Sequence, residues 1–179
     1  MYINEEIAHR VAYDATKPLH EHVKKLKKLF EVAASMAYQS SLPDALQAAL
    51  KDRKSSRYIR KCHSIFVVVG QMPDDAHEIM GEEDHFPTPD RFHGQPKFTL
   101  TDAHNDIKAM YYEWQAAHNE AYELHQTLKQ TLEQMYHYDT IREQLPEVAH
   151  LLPNQPDVDA VDIDILDLRA KLTHLTTDK

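Results

Sequence analysis

From Asp102 to His137 the hydrophobic positions recur at alternating intervals of three and four residues, the spacing that lines up one face of an α-helix. The stripe reads His104, Ile107, Tyr111, Trp114, His118, Ala121, His125, Leu128, Leu132 and Met135. It predicts a long central helix whose face is buried against other helices or against a second copy of the chain. Histidine stands at three positions where such a seam usually carries aliphatics, so His104, His118 and His125 are each read as a hydrogen-bonded core residue, a metal ligand or part of a pH-sensitive seam. A shorter stripe, Ile3, Ile7 and Val11, predicts an N-terminal helix starting near Asn4, with Asn4 as the N-cap and acidic residues in the first turn. Pro18 lacks a backbone donor and restricts Lys17, so that helix is expected to end or kink there. A second helical stretch follows on Leu19, Val23, Leu26, Phe30, Ala33 and Ala37, with Leu29 and Met36 widening the apolar face. Ser41 and Pro43 open a short helix through Leu46 and Leu50.

The middle of the chain changes period. Ile65-Phe66-Val67-Val68-Val69, closed by Gly70, is a β-branched and aromatic run that predicts a strand. Its expected partners are Arg57-Tyr58-Ile59 and Lys97-Phe98-Thr99-Leu100. Residues 71–96, with four prolines and the acidic run Glu82-Glu83-Asp84, are expected to form a long polar loop. Beyond the central helix, Asp139 to Val148 predicts a short helix stopped by Pro146, and Pro153 to Pro156 a rigid connector. Val161, Ile165, Leu168, Leu172 and Leu175 then predict a C-terminal helix over 157–175 rather than a strand, with Asp157 or Asp159 at its positive end. The expected fold class is α+β and predominantly α-helical: a single domain over 1–179, built as a helical bundle around the helix at about 102–137, with a small β-sheet including 65–69.

Composition narrows the function classes. The 179 residues include 42% hydrophobic side chains, enough for a core, but three glycines. Phosphate-binding glycine loops and dinucleotide-binding turns need more. No run of 18 apolar residues occurs, and Met1-Tyr2-Ile3-Asn4-Glu5-Glu6 lacks the basic start and apolar centre of a signal peptide, so the expected location is the cytoplasm of the host cell, with no membrane partner. Cys62 is the single cysteine, which excludes an internal disulfide. The net charge of −9 is uneven: residues 1–61 carry +5 and residues 62–179 carry −14. If the blocks segregate in space, the basic side meets phosphate and the acidic side a basic protein surface; if they interleave, they neutralise one another.

Three sets of residues follow from that charge pattern. Asp74, Asp75, Glu78, Glu82, Glu83 and Asp84 form a candidate protein-binding surface in the polar loop. Lys24, Lys25, Lys27, Lys28, Lys51, Arg53, Lys54, Arg57, Arg60 and Lys61 form the one plausible nucleic-acid footprint, although Tyr58 alone supplies an interleaved aromatic. His77, His85 and His93 are candidate ligands for a divalent metal in the same loop, without a recognised ligand spacing; no cofactor is otherwise predicted. Two turns, about 10 Å, separate His118 from His125, too far for both to bind one ion unaided. His20 and His22, beside lysines, are expected to be exposed.

The start Ile3-Asn4-Glu5-Glu6-Ile7-Ala8-His9-Arg10-Val11 and the stretch from Leu128 to Pro153, with its Leu-Pro-Glu-Val and Leu-Leu-Pro elements, resemble small bacteriophage proteins of a nucleotide-modification-associated domain family. The resemblance implies a phage origin and transfers no catalytic residue. The leading expectation is therefore a phage-type accessory protein that binds a host protein, with an anti-defence or DNA-mimic role through its acidic surface. The alternatives are a nucleic-acid-binding or DNA-modification-associated factor and a metal-dependent enzyme, and the central helix is a possible homodimer seam.

Overall fold

The computed structural model describes residues 2–51, 66–70, 76–78, 97–153 and 163–177. The fold is α+β and predominantly helical. In chain order the elements are α1 (Glu5–Ser41), α2 (Asp44–Lys51), β1 (Phe66–Val68), β2 (Ala76–Glu78), β3 (Lys97–Thr99), a 3-10 turn at Asp102–His104, α3 (Asn105–Met135), α4 (Tyr138–Gln144), α5 (Pro146–Ala149) and α6 (Ile165–Thr177). Two compact units divide the chain, Met1–Lys24 with Ala116–Lys179, and Lys25–Gln115. Among the described residues no helix is long and apolar enough to cross a membrane.

The first unit is helical. Asn4 caps α1, its Oδ1 accepting the Ile7 N–H at 2.8 Å, and Glu5 and Glu6 meet the positive end of the helix. The expected break at Pro18 does not occur, and α1 runs through it. Pro18 and Asp14, whose carbonyl loses its donor, both lie on the exposed side of the helix. That side faces solvent, so helix continuity costs less there than in a buried turn. Small residues Ala8, Ala12 and Ala15 on the inner face let α1 approach its neighbours closely. The core they join holds Val11, Leu124, Leu128, Leu132, Ile141, Leu145, Val148, Leu168 and Leu172.

α3 stops at Tyr136, a non-glycine residue with φ 60°. The turn is held by the Ile3 N–H donating to the Tyr136 carbonyl at 2.9 Å and by the bridge from Tyr2 to His137. Pro146 ends α4 and at the same time starts α5, where its missing N–H and fixed φ suit the first helical turn. The C-terminal helix is present, and its buried face carries Leu168 and Leu172 as the spacing predicts. Its cap is Asp164, whose carboxylate accepts the N–H groups of Leu166 (2.9 Å) and Asp167 (3.2 Å); Asp157 and Asp159 lie outside the described residues.

The second unit sets a sheet against helices. β1 pairs with β3 in parallel, Val67 beside Phe98, as expected from the 97–100 run. It also pairs antiparallel with β2, giving the order β2-β1-β3. β2 is a correction, because it arises inside the segment read as a polar loop; Ala76-His77-Glu78 has neither β-branched nor aromatic residues to signal a strand. The other expected partner, 57–59, lies outside the described residues. The core of this unit is Phe30, Ala34, Val67, Val69, Leu100, Ile107 and Tyr111. Phe30 is its hub, edge-on to Tyr111 with centroids 5.2 Å apart and parallel to Trp114 at 6.2 Å.

Candidate functional site

The predicted seam of α3 is covered within the chain, with one exception. Ile107 and Tyr111 are buried in the second unit and Ala121, His125, Leu128 and Leu132 in the first, whereas His118 is exposed. His104 acts locally, since the Thr101 N–H donates to its Nδ1 (3.2 Å) while its own N–H donates to the Thr101 carbonyl (3.0 Å). The pair closes the start of the helix as a capping box does, with histidine in the place usually held by Glu or Gln.

His125 is the chemically loaded seam residue. It is 6% exposed, and its partner is another histidine. His125 Nε2 lies 3.2 Å from His9 Nδ1, with the rings edge-on at 5.0 Å. The ring of His20 stands 5.9 Å from that of His125 on α1's next exposure of the same edge, and Tyr13 stacks on His20 at 5.4 Å. His9, Tyr13, Thr16 and His20 share that edge by helical spacing. The buried Thr16 hydroxyl between them bonds back to the Ala12 carbonyl at 2.8 Å. His20 is thus half-buried, against the expectation of a fully exposed side chain; His22 is exposed as expected.

Burial is the first cause that holds His125 below the ordinary imidazole value, followed by His9, His20 and Lys129. For His20 the causes are burial, then Lys24, then His118. In both rings burial and the neighbouring cations favour the neutral form. Among the described residues, His125 Nδ1 and His20 Nε2 are buried without a hydrogen-bond partner. Beside the row, Lys129 bonds Glu5 at 2.9 Å, holding that carboxyl below its usual range, and reaches Glu133 at 3.6 Å.

The row does not form a chelate. His9 and His20 are eleven residues apart on one helix, about 16 Å of rise, far beyond the single turn that sets two helix histidines on one ion with bonds of about 2.0–2.1 Å. Among the described residues, no group of three or more His, Cys, Asp or Glu side chains is arranged to hold a metal. Of the predicted metal ligands, His77 lies in β2 opposite Val67, and His85 and His93 fall outside the described residues.

The predicted interaction residues divide in the same way. Glu78 lies in β2 opposite Phe66, while Asp74, Asp75, Glu82, Glu83 and Asp84 are outside the described residues. Lys24, Lys25, Lys27 and Lys28 are all exposed on α1, with Lys27 reaching Glu31 at 3.7 Å. Lys51 ends α2; Arg53, Lys54, Arg57, Arg60 and Lys61 are outside the described residues.

One surface runs against the expectation from spacing. Leu29 and Met36, expected to widen the buried face of the helix, are instead 60% and 64% exposed, and Val32 between them is 51% exposed. The buried residues of this stretch are Phe30 and Ala34. The chain does carry a signal for this: Leu29, Val32 and Met36 are spaced i, i+3, i+7 about a direction far from that of Phe30 and Ala34, and one helix in a small domain rarely buries both. Lys25 and Lys28 flank this outer stripe. Compared with known protein families, with curated proteins and with solved structures, the chain shows no match to any of them.

Proposed function

We propose that the protein is a phage-type accessory protein that acts by binding a host protein, with the outer face of α1 as its contact surface. The observation that carries this reading is the stripe Leu29, Val32 and Met36, three large apolar side chains each more than half exposed in the second unit. Recognition of a helix in a groove uses anchors at i, i+3 or i+4, and i+7, and these residues have that spacing. The opposite face of the same turns is pinned by Phe30 and Ala34 in the core. The helix is therefore formed before a partner arrives, and binding does not have to order it. Exposed Lys25 and Lys28 beside the stripe favour a groove with acidic margins. An anti-defence effect follows in this reading if the groove is one the host protein needs. The DNA-mimic version rests instead on the −14 carried by residues 62–179.

A second reading has its own observation, the exposure of Lys24, Lys25, Lys27 and Lys28 on consecutive turns of one helix. It makes the protein a nucleic-acid-binding or modification-associated factor whose affinity falls steeply with salt. Capture from bacterial lysate, with and without nuclease, separates the two readings when run beside a Leu29→Glu/Met36→Glu variant. The expected result is a stoichiometric host protein that survives nuclease. Its recovery should drop about tenfold or more in the variant, as for the loss of buried anchor residues, with the circular dichroism unchanged. Nucleic acid recovered from wild type and variant alike, with every protein lost on digestion, would overturn the first reading in favour of the second.

A further inference from the structure

Within the first unit, α1 and α3 meet along imidazoles from both helices. The groups acting on His125 are His9 and His20 of α1 and Lys129 of α3, and those acting on His20 are Lys24 of α1 and His118 of α3. Each is a cation or becomes one on protonation. The nearby carboxylates of Glu5 and Glu133 are held by Lys129. The ring of Tyr13 stacks on His20 at 5.4 Å.

The His9–His125 contact at 3.2 Å needs one ring nitrogen to donate and the other to accept. Two neutral imidazoles satisfy it. One added proton on the exposed His9 side of the contact still leaves a donor and an acceptor. A second proton breaks the arrangement. With both rings protonated, two N–H groups face one another; with the proton on His20 instead, the charge enters a half-buried ring between Lys24 and the other histidines.

We propose that this row is a proton-operated joint, closed while the imidazoles are neutral and released when the row takes up its second proton, so that the packing of α1 on α3 in the first unit loosens on mild acidification. The direction of the pH dependence follows from linkage. His125 and His20 lie below the ordinary imidazole value in the folded chain and return to about 6.5 when unfolded. The stability gained by keeping them neutral is complete above about pH 6.5 and is lost as the pH falls from there through their folded-state values. In that interval each extra proton bound by the unfolded state raises the unfolding constant by up to about tenfold per pH unit, and two raise it by up to about a hundredfold. Carboxylates take protons near pH 4 in the unfolded chain and contribute little above about pH 5.5.

The deciding experiment is urea unfolding of the full chain from pH 8 to 5.5, for wild type, His125→Leu and His20→Phe. The second variant keeps an aromatic ring on Tyr13 and serves if the first does not fold. Wild type should show an unfolding constant that climbs below pH 6.5 with a slope above one proton, and either variant should lower that slope by about one proton. Proton NMR of the wild-type imidazoles adds a direct reading, with the His125 midpoint expected below that of an unfolded peptide. Equal slopes in wild type and variants, or a His125 midpoint at or above the peptide value, would overturn the joint.

Discussion

Asn4 and His125 mark the two extremes of what single residues reveal. Asn4 is legible because a cap is local: its carboxamide accepts an N–H three residues on, at 2.8 Å, and needs nothing from the rest of the chain. Asn4→Ala is expected to lower stability by about 1 kcal/mol, read as a lower urea midpoint at unchanged m-value, whereas Asn4→Asp should preserve it. His125 is legible only as an oddity in an apolar stripe. Its partner His9 is 116 positions away, and no spacing rule connects two residues on different helices. Tyr136 is a further case. A left-handed residue ending α3 would be read as glycine or asparagine, but here the backbone bond from Ile3 and the rings of Tyr2 and His137, 4.9 and 5.3 Å from Tyr136, hold a tyrosine there.

At the scale of elements, Pro18 shows how tertiary context overrides a local rule. Proline in a helix interior costs roughly 3 kcal/mol relative to alanine, yet α1 is continuous. The ring is on the exposed side, and the buried residues around it, Ala15, Thr16 and Val23, keep the helix on its core. Pro18→Ala is therefore expected to stabilise the protein by about 1–3 kcal/mol, visible as a higher thermal midpoint; no gain would mean that a break at Pro18 is built into the native chain. The strands divide along the same line. β1 and β3 carry β-branched and aromatic residues and are readable from them, whereas β2, Ala76–Glu78, is a strand because β1 offers it an edge.

At the scale of the molecule, each compact unit has its own core and each draws residues from both charge blocks of the sequence. Among the described residues, cations of the acidic block are matched to carboxylates: Lys108 to Asp102, Lys129 to Glu5 and Glu133, Arg142 to Asp139, Arg169 to Glu120, Lys171 to Glu147 and Asp167. These are mostly exposed pairs, and they organise the surface more than they stabilise it. Stability rests on the two cores, and the two should respond separately. Leu128→Ala is expected to cost about 2–5 kcal/mol and Phe30→Ala about 3–5 kcal/mol, since both side chains are fully buried. Hydrogen exchange is the discriminating measurement, with the largest loss of protection within the unit that holds the substitution. A uniform loss across both units would show a single cooperative core.

The sequence by itself determined the helical periodicity of the chain, the α3 stripe, the Asn4 cap, the central strand, the segment that pairs with it at 97–100 and the helical character of the C-terminal segment. All of these depend on residue spacing or on contacts within one turn, and a turn is the reach of backbone periodicity. Only the tertiary structure decided which face of α1 is buried in the second unit, that Pro18 is tolerated, that a third strand joins the sheet and that His9, His20 and His125 form one row. Each of those outcomes depends on which distant segment supplies the opposing surface. The same stripe of Leu29, Val32 and Met36 is a core if something covers it and a contact surface if nothing does, and the residues themselves are identical in both cases.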